Sequence, residues 1–161
     1  MKKKHVRMVI YYLLQWTWGL PQNLLGLLIT GIIRLKNPDG IRERYHYAVL
    51  TDWLFRFSSM GLGMFIFYGH RGSGTKTERM IRTHEYGHTI QSVILGPLFL
   101  PVVGIPSFVW ANLPYFRRFR ERKQYDYFRF YPEAWANHAG AWADSLGDFI
   151  LPGDGNGLYH V

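Results

Sequence analysis

Cysteine is absent from this chain of 161 residues. Its absence excludes disulfides, thiolate metal sites and a cysteine nucleophile, so any metal must be held by histidine and carboxylate. Acidic residues are also scarce: 11 Asp and Glu stand against 19 Lys and Arg, a formal net charge of +8. Such an excess implies an anionic partner, and nucleic acid and anionic lipid are the usual two. The cations gather at Lys2 to Lys4 with Arg7, at Arg34 with Lys36, and over Arg117 to Lys123, each cluster lying against a long uncharged stretch. That distribution fits a lipid surface and disfavours nucleic acid, which calls for cations set among stacking rings. The length suits one core and falls short of two ordinary domains, so a single domain over 1–161 is expected.

Aromatic residues, by contrast, are plentiful at 17%. Rings with a polar edge settle where water meets hydrocarbon, although a small protein also uses them as core filler. The hydrophobic segment 8–35 is uncharged until Arg34 and long enough for a bilayer crossing of about 20 residues. Its centre, Trp18-Gly19-Leu20-Pro21-Gln22-Asn23, sets a helix breaker beside two amides. With basic flanks on both sides, the expectation is an in-and-out hairpin or a kinked, half-inserted helix, against the plainer reading of buried core helices. A cleaved signal peptide is disfavoured, because the run is long and no small-x-small site follows.

Asn37-Pro38-Asp39-Gly40 reads as a turn, and Glu43 to Leu50 alternates as a half-exposed strand. Trp53 to Phe57 and Gly63 to Tyr68 read as hairpin strands. Thr75-x-x-Glu78 has capping-box spacing and opens a helix over 75–95, stopped by Gly96 and Pro97. From Thr89 to Phe116 the chain is again uncharged but interrupted by four prolines, which suits a re-entrant or interfacial segment or a packed loop. Pro132 starts a final helix over 132–146. The fold class is therefore α+β, mainly helical, with a small antiparallel hairpin or sheet beside the 75–95 helix and hydrophobic segments at a membrane.

His84-Glu85-Tyr86-Gly87-His88 falls inside the 75–95 helix. Imidazoles at i and i+4 share one helical face and can reach one tetrahedral zinc, while the carboxylate of Glu85 is placed to meet a water rather than the ion. A catalytic zinc needs a third protein ligand. Glu133 is the choice, with Asn137 four residues on as its helical neighbour and a hydrogen-bonding support for a ligand. Asp154, in Leu151-Pro152-Gly153-Asp154-Gly155, and His138 are the alternatives. Tyr127, Tyr131, His70 and His46 are candidates to stabilise a developing oxyanion, and none is singled out. Gln91 and Ser92 read as helix-packing polar residues, and Asp144 and Asp148 as exposed carboxylates.

The HEYGH segment and the later Glu133-Ala134-Trp135-Ala136-Asn137 resemble the gluzincin metallopeptidases, with Asn where thermolysin-like members usually carry Asp. The resemblance covers about a third of the chain. It implies zinc bound by His84, His88 and Glu133, with Glu85 as general base, acting on a peptide or protein substrate. The metzincin pattern fails at Gln91 and Ile94, and the site-2 protease pattern is met only by the region around Asp154 at the wrong spacing. The expected activity is that of a membrane-associated zinc metallopeptidase, with lipid as a further partner and the bacterial cytoplasmic membrane as its place. The alternatives are a non-catalytic membrane protein with a structural zinc or a lipid- or partner-binding role, and a hydrolase of non-peptide bonds. An extended substrate is expected to pair with strand Gly63 to Tyr68. Oligomeric state has no signature in the sequence.

Overall fold

The uncharged run 8–35 is broken by a turn at Thr17-Trp18-Gly19 into a hairpin of two helices, α1 (Lys2–Trp16) and α2 (Leu20–Lys36). Pro21 falls in the first turn of α2, where its missing N–H is no loss. The architecture is taken from a computed structural model that describes residues 2–146. Asp148, Asp154 and the loop around Leu151 lie outside those residues. Among the described residues, no helix is long and apolar enough to cross a membrane.

The two amides at the break do not face outward. Gln22 and Asn23 are fully buried, together with Gln15, and point toward the rest of the protein. Gln22 Nε2 donates to Ser92 Oγ at 2.8 Å and to the Gly96 carbonyl at 3.0 Å, and Gln15 Nε2 donates to the Thr89 carbonyl at 3.0 Å. Asn23 donates to Gln15 Oε1 at 2.8 Å and accepts from the Met64 N–H at 2.9 Å. Each of the three buried amides donates at least one of these bonds, and together the bonds fasten the hairpin to α3 and the sheet. Asn23→Ala strips the Met64 N–H of its acceptor and is expected to lower stability by about 1–3 kcal/mol, read as a drop in Tm of roughly 3–10 °C by thermal circular dichroism. An unchanged Tm would mean that the network does not hold the hairpin.

The sheet has four strands: β1 (Arg42–Tyr45), β2 (Ala48–Asp52), β3 (Ser59–Leu62) and β4 (Phe65–Tyr68), in the order β1-β2-β4-β3. It is mixed, because β2 and β4 run parallel while the other pairs are antiparallel. The single strand expected over Glu43 to Leu50 is instead a hairpin, turned at His46 with φ 53°. Trp53 to Phe57 is not a strand; Phe57 also has a positive φ, 59°, and the true partner of β4 is Ser59–Leu62 across the turn at Gly63. Every residue of β4 is buried. Phe65 and Phe67 face the hairpin helices, with Tyr11 and Ile33 in the same cluster, while Ile66 and Tyr68 join Tyr86 and Ala143 on the opposite face. The layers are thus α2, sheet, then α3 (Thr75–Leu95) with α6 (Tyr131–Ser145).

Helix α3 spans the predicted residues, but its capping box does not form. Gly74 is the N-cap, and Glu78 reaches back to accept from the Gly72 N–H at 2.8 Å. After Gly96 the proline-rich stretch makes a 3₁₀ turn (Gly96–Leu98), a wide π-type turn (Leu100–Gly104), α4 (Ile105–Asn112) and α5 (Pro114–Lys123). Within the basic run, Arg120 is not simply a solvated cation. Its guanidinium donates to the Trp110 carbonyl and lies 4.8 Å from the Trp110 ring and 5.3 Å from that of Tyr127, tying α5 to the segment that precedes α6.

Candidate metal centre

Glu133 meets the two histidines because α3 and α6 pack at backbone contact. A Cβ on Gly87 would stand 1.9 Å from the Ala136 carbonyl oxygen, and one on Gly140 2.1 Å from that of Thr83. Ala136, Ala139 and Ala143 complete a small-residue seam on the α6 side. On the other flank Gly61 of β3 rests on α3, where an added Cβ would fall 2.5 Å from the Glu85 carbonyl oxygen. Glycine and alanine at these points bring the side chains of three elements into one small volume.

In that volume His84 Nε2 lies 3.1 Å from Glu133 Oε2, and His88 Nε2 lies 3.7 Å from the same oxygen. The three residues are all buried, and their ligand atoms lie within 4.8 Å of one another, the only such group of three or more among the described residues. Ligand atoms bound tetrahedrally at zinc distances stand roughly 3.3–3.5 Å apart, which these separations bracket. The other ring nitrogens are already committed. His84 Nδ1 is 2.8 Å from Asn137 Oδ1, and His88 Nδ1 is 2.7 Å from Gln91 Oε1. An amide oxygen only accepts, so each Nδ1 is a donor to its amide, and Nε2, the atom that faces the carboxylate, is the one available to a metal. The donor set therefore fits zinc, with two imidazoles and one carboxylate and a fourth position left over.

Burial alone would raise the Glu133 carboxyl, but its contacts with His84, His88 and the Ser107 hydroxyl outweigh this and hold it well below the usual carboxylate range. The hydroxyl of Ser107 donates to Glu133 Oε1, leaving Oε2 to the histidines. Glu85 is buried beside the cluster without belonging to it. Burial pushes its carboxyl up to about 7; His84 pulls it down, the charge of Glu133 adds to the rise, and a backbone hydrogen bond from Gly61 opposes it. Tyr127 lies within reach of the same charges. Its hydroxyl is raised above its ordinary range first by burial and then by Glu133 and Glu85, and it interacts with Ser107.

The structure thus brings together His84, Glu85, His88, Glu133, Asn137 and, of the oxyanion candidates, Tyr127. It keeps the others apart. Tyr131 spends its hydroxyl on the Val102 carbonyl, and His70 packs on Tyr68 and Phe57. His46 bonds to Asp144 at 2.8 Å, so Asp144 is no free surface carboxylate; Thr83 donates to its other oxygen. His138 is exposed and outside the cluster. Gln91 was expected only to pack. It is a support for His88, held in turn by donating to the Pro132 carbonyl at 2.8 Å, and its i, i+3 spacing from His88 was the available signal. Ser107 had none, since it arrives from a separate segment. Comparison with protein-family models, curated proteins and solved structures found no match for this chain.

Proposed function

We propose that this chain is a zinc-dependent metallopeptidase of gluzincin type working at a membrane. The observation that carries the reading is the convergence of His84 Nε2 and His88 Nε2 on one oxygen of the buried Glu133, with each Nδ1 held by an amide and a separate buried carboxylate, Glu85, next to them. Zinc held by His84, His88 and Glu133 would supply a Lewis acid for a carbonyl oxygen and lower the pKa of a water toward ~7. Glu85 takes a proton from the attacking water on its carboxylate and delivers it to the leaving amine, a role suited to a carboxyl poised near neutrality. Tyr127, whose hydroxyl hydrogen-bonds Ser107 and Glu133, is the phenol beside the cluster, and it would donate to the developing oxyanion by turning away from Glu133. Asn137 and Gln91 keep the imidazoles in register.

An extended substrate would not pair with β4, as the sequence suggested, because β4 already has a neighbour on each side. The edge strand nearest the site is β3, packed on α3 at Gly61, and it is the better rail for a peptide backbone. The reading is tested by metal analysis of purified wild type and Glu133→Ala. Wild type is expected to hold one zinc per chain. The variant is expected to lose affinity by more than the roughly 10–100-fold that removal of an outer support such as Asn137 costs, with its far-ultraviolet circular dichroism retained. No zinc in the wild type would end the proposal.

A further inference from the structure

Helix α2 is built inside out for a protein in water. Its buried positions include Gln22, Asn23 and Gly26, whereas its exposed positions from Leu20 to Ile32 are Leu20, Pro21, Leu24, Leu25, Leu27, Leu28, Gly31 and Ile32. Surface helices normally turn their polar face to solvent. Helix α1 continues the pattern with exposed Val6, Val9, Ile10, Leu13 and Trp16 at helical spacing. A second apolar stripe, Leu98, Val102, Ile105 and Phe108, follows the end of α3. The two meet at Gly96, where an added Cβ would stand 2.2 Å from the Trp18 indole and whose carbonyl accepts from Gln22. Between α1 and α3 an apolar cavity of about 390 Å³, lined by Ile10, Leu14, Ile90 and Ile94, has Arg7 on its wall. An exposed apolar surface of this extent is far larger than scattered surface leucines explain.

Charge selects the partner. No acidic residue occurs before Asp39, and each helix carries cations toward the end away from the connecting turn, Arg7 on α1 and Arg34 with Lys36 on α2. Apolar faces edged by cations match a bilayer with anionic headgroups. Length selects the mode: helices of 15 and 17 residues cover about 22 and 25 Å, short of the ~30 Å hydrocarbon core.

We infer that the α1–α2 hairpin and the segment around Leu98–Phe108 form one apolar surface that inserts part-way into a single leaflet of an anionic membrane. The inference deepens the membrane half of the proposed function and does not depend on its chemistry. It also places the metal centre at the lipid boundary. The segment whose outer stripe meets lipid sends Ser107 inward to Glu133, and its Val102 carbonyl accepts from Tyr131, the residue that opens α6.

The test is co-sedimentation of the full chain with phosphatidylcholine vesicles, with and without about 30 mol% phosphatidylglycerol. Wild type is expected to pellet with the anionic vesicles and to bind less as NaCl rises from about 0.1 to 0.5 M. Leu24→Glu with Leu28→Glu is expected to weaken binding by about tenfold or more while zinc stoichiometry and circular dichroism stay unchanged. Because a hairpin variant can misfold, Ile105→Glu with Phe108→Glu, on the other stripe, provides a second and independent loss of binding. Wild type remaining in the supernatant, or folded charge variants that bind as well as wild type, would overturn the inference. So would a discrete dimer closed through this face that ignores vesicles. Each of these results can occur with zinc fully bound, which separates this inference from the metallopeptidase reading.

Discussion

Glu85→Gln is expected to reduce hydrolysis of a peptide library by roughly 10²–10⁴-fold, with zinc still at one per chain and Tm unchanged within a few degrees. The amide has the shape of the carboxylate, so packing against β3 survives, but it cannot accept and return a proton. Its effect should appear in kcat rather than KM, because Glu85 stands beside the ligand cluster and outside it. Because Glu85 is outside the ligand group, the substitution leaves all three donors in place, and zinc affinity falls only by the small amount that loss of one neighbouring anion accounts for. Full activity in a zinc-loaded Glu85→Gln protein would remove the general-base role. A wild type that binds zinc tightly, cleaves nothing, and unfolds when His84 is replaced by Ala would instead support the structural-zinc alternative.

Gly87→Ala should be the most damaging change that touches no ligand. Its methyl group would fall 1.9 Å from the Ala136 carbonyl oxygen, a backbone atom that cannot step aside. Helix α6 has to move away from α3, and Glu133, three residues before Ala136, moves with it. Loss of stability by about 4 kcal/mol or more is expected, seen in urea denaturation of the metal-free protein, together with loss of stoichiometric zinc. The control is Ala134→Gly, on α6 but away from the Gly87 contact, which should cost only about 1 kcal/mol through helix propensity. A Gly87→Ala protein with wild-type stability and zinc content would show that the seam does not set the ligand spacing.

The parts of this molecule that were legible in the sequence are the local ones. Helix 75–95 carries its stop signal at Gly96-Pro97, and the i, i+4 histidines need nothing beyond helical periodicity. Glu133 was readable because Pro132 marks a helix start and Asn137 follows at one turn. The strands were less so: Glu43 to Leu50 alternates as one strand would, and the turn at His46 depends on a left-handed conformation that histidine adopts without any glycine or asparagine to announce it. The parallel pairing of β2 with β4 has no local signature, since it follows from how the sheet packs between two helical layers. Ser107 and Gly61 enter the site by tertiary contact alone. The amides of Gln22 and Asn23 were the most misleading feature, because sequence cannot say whether a polar residue in an apolar run faces lipid or protein.

The way those amides are used has a further consequence. Gln15, Gln22 and Asn23 hold the hairpin through neutral donors and acceptors, with no ion pair among the bonds described above. Salt and moderate changes of pH act on charges and leave such bonds almost untouched. On the membrane docking inferred above, the forces that hold the hairpin to its own protein and those that would draw its cations to an anionic surface respond to different variables. On that inference, raising ionic strength weakens the charge attraction to a surface while the helices stay seated and the histidines stay in register, so that attachment is tuned without passing through an unfolded state.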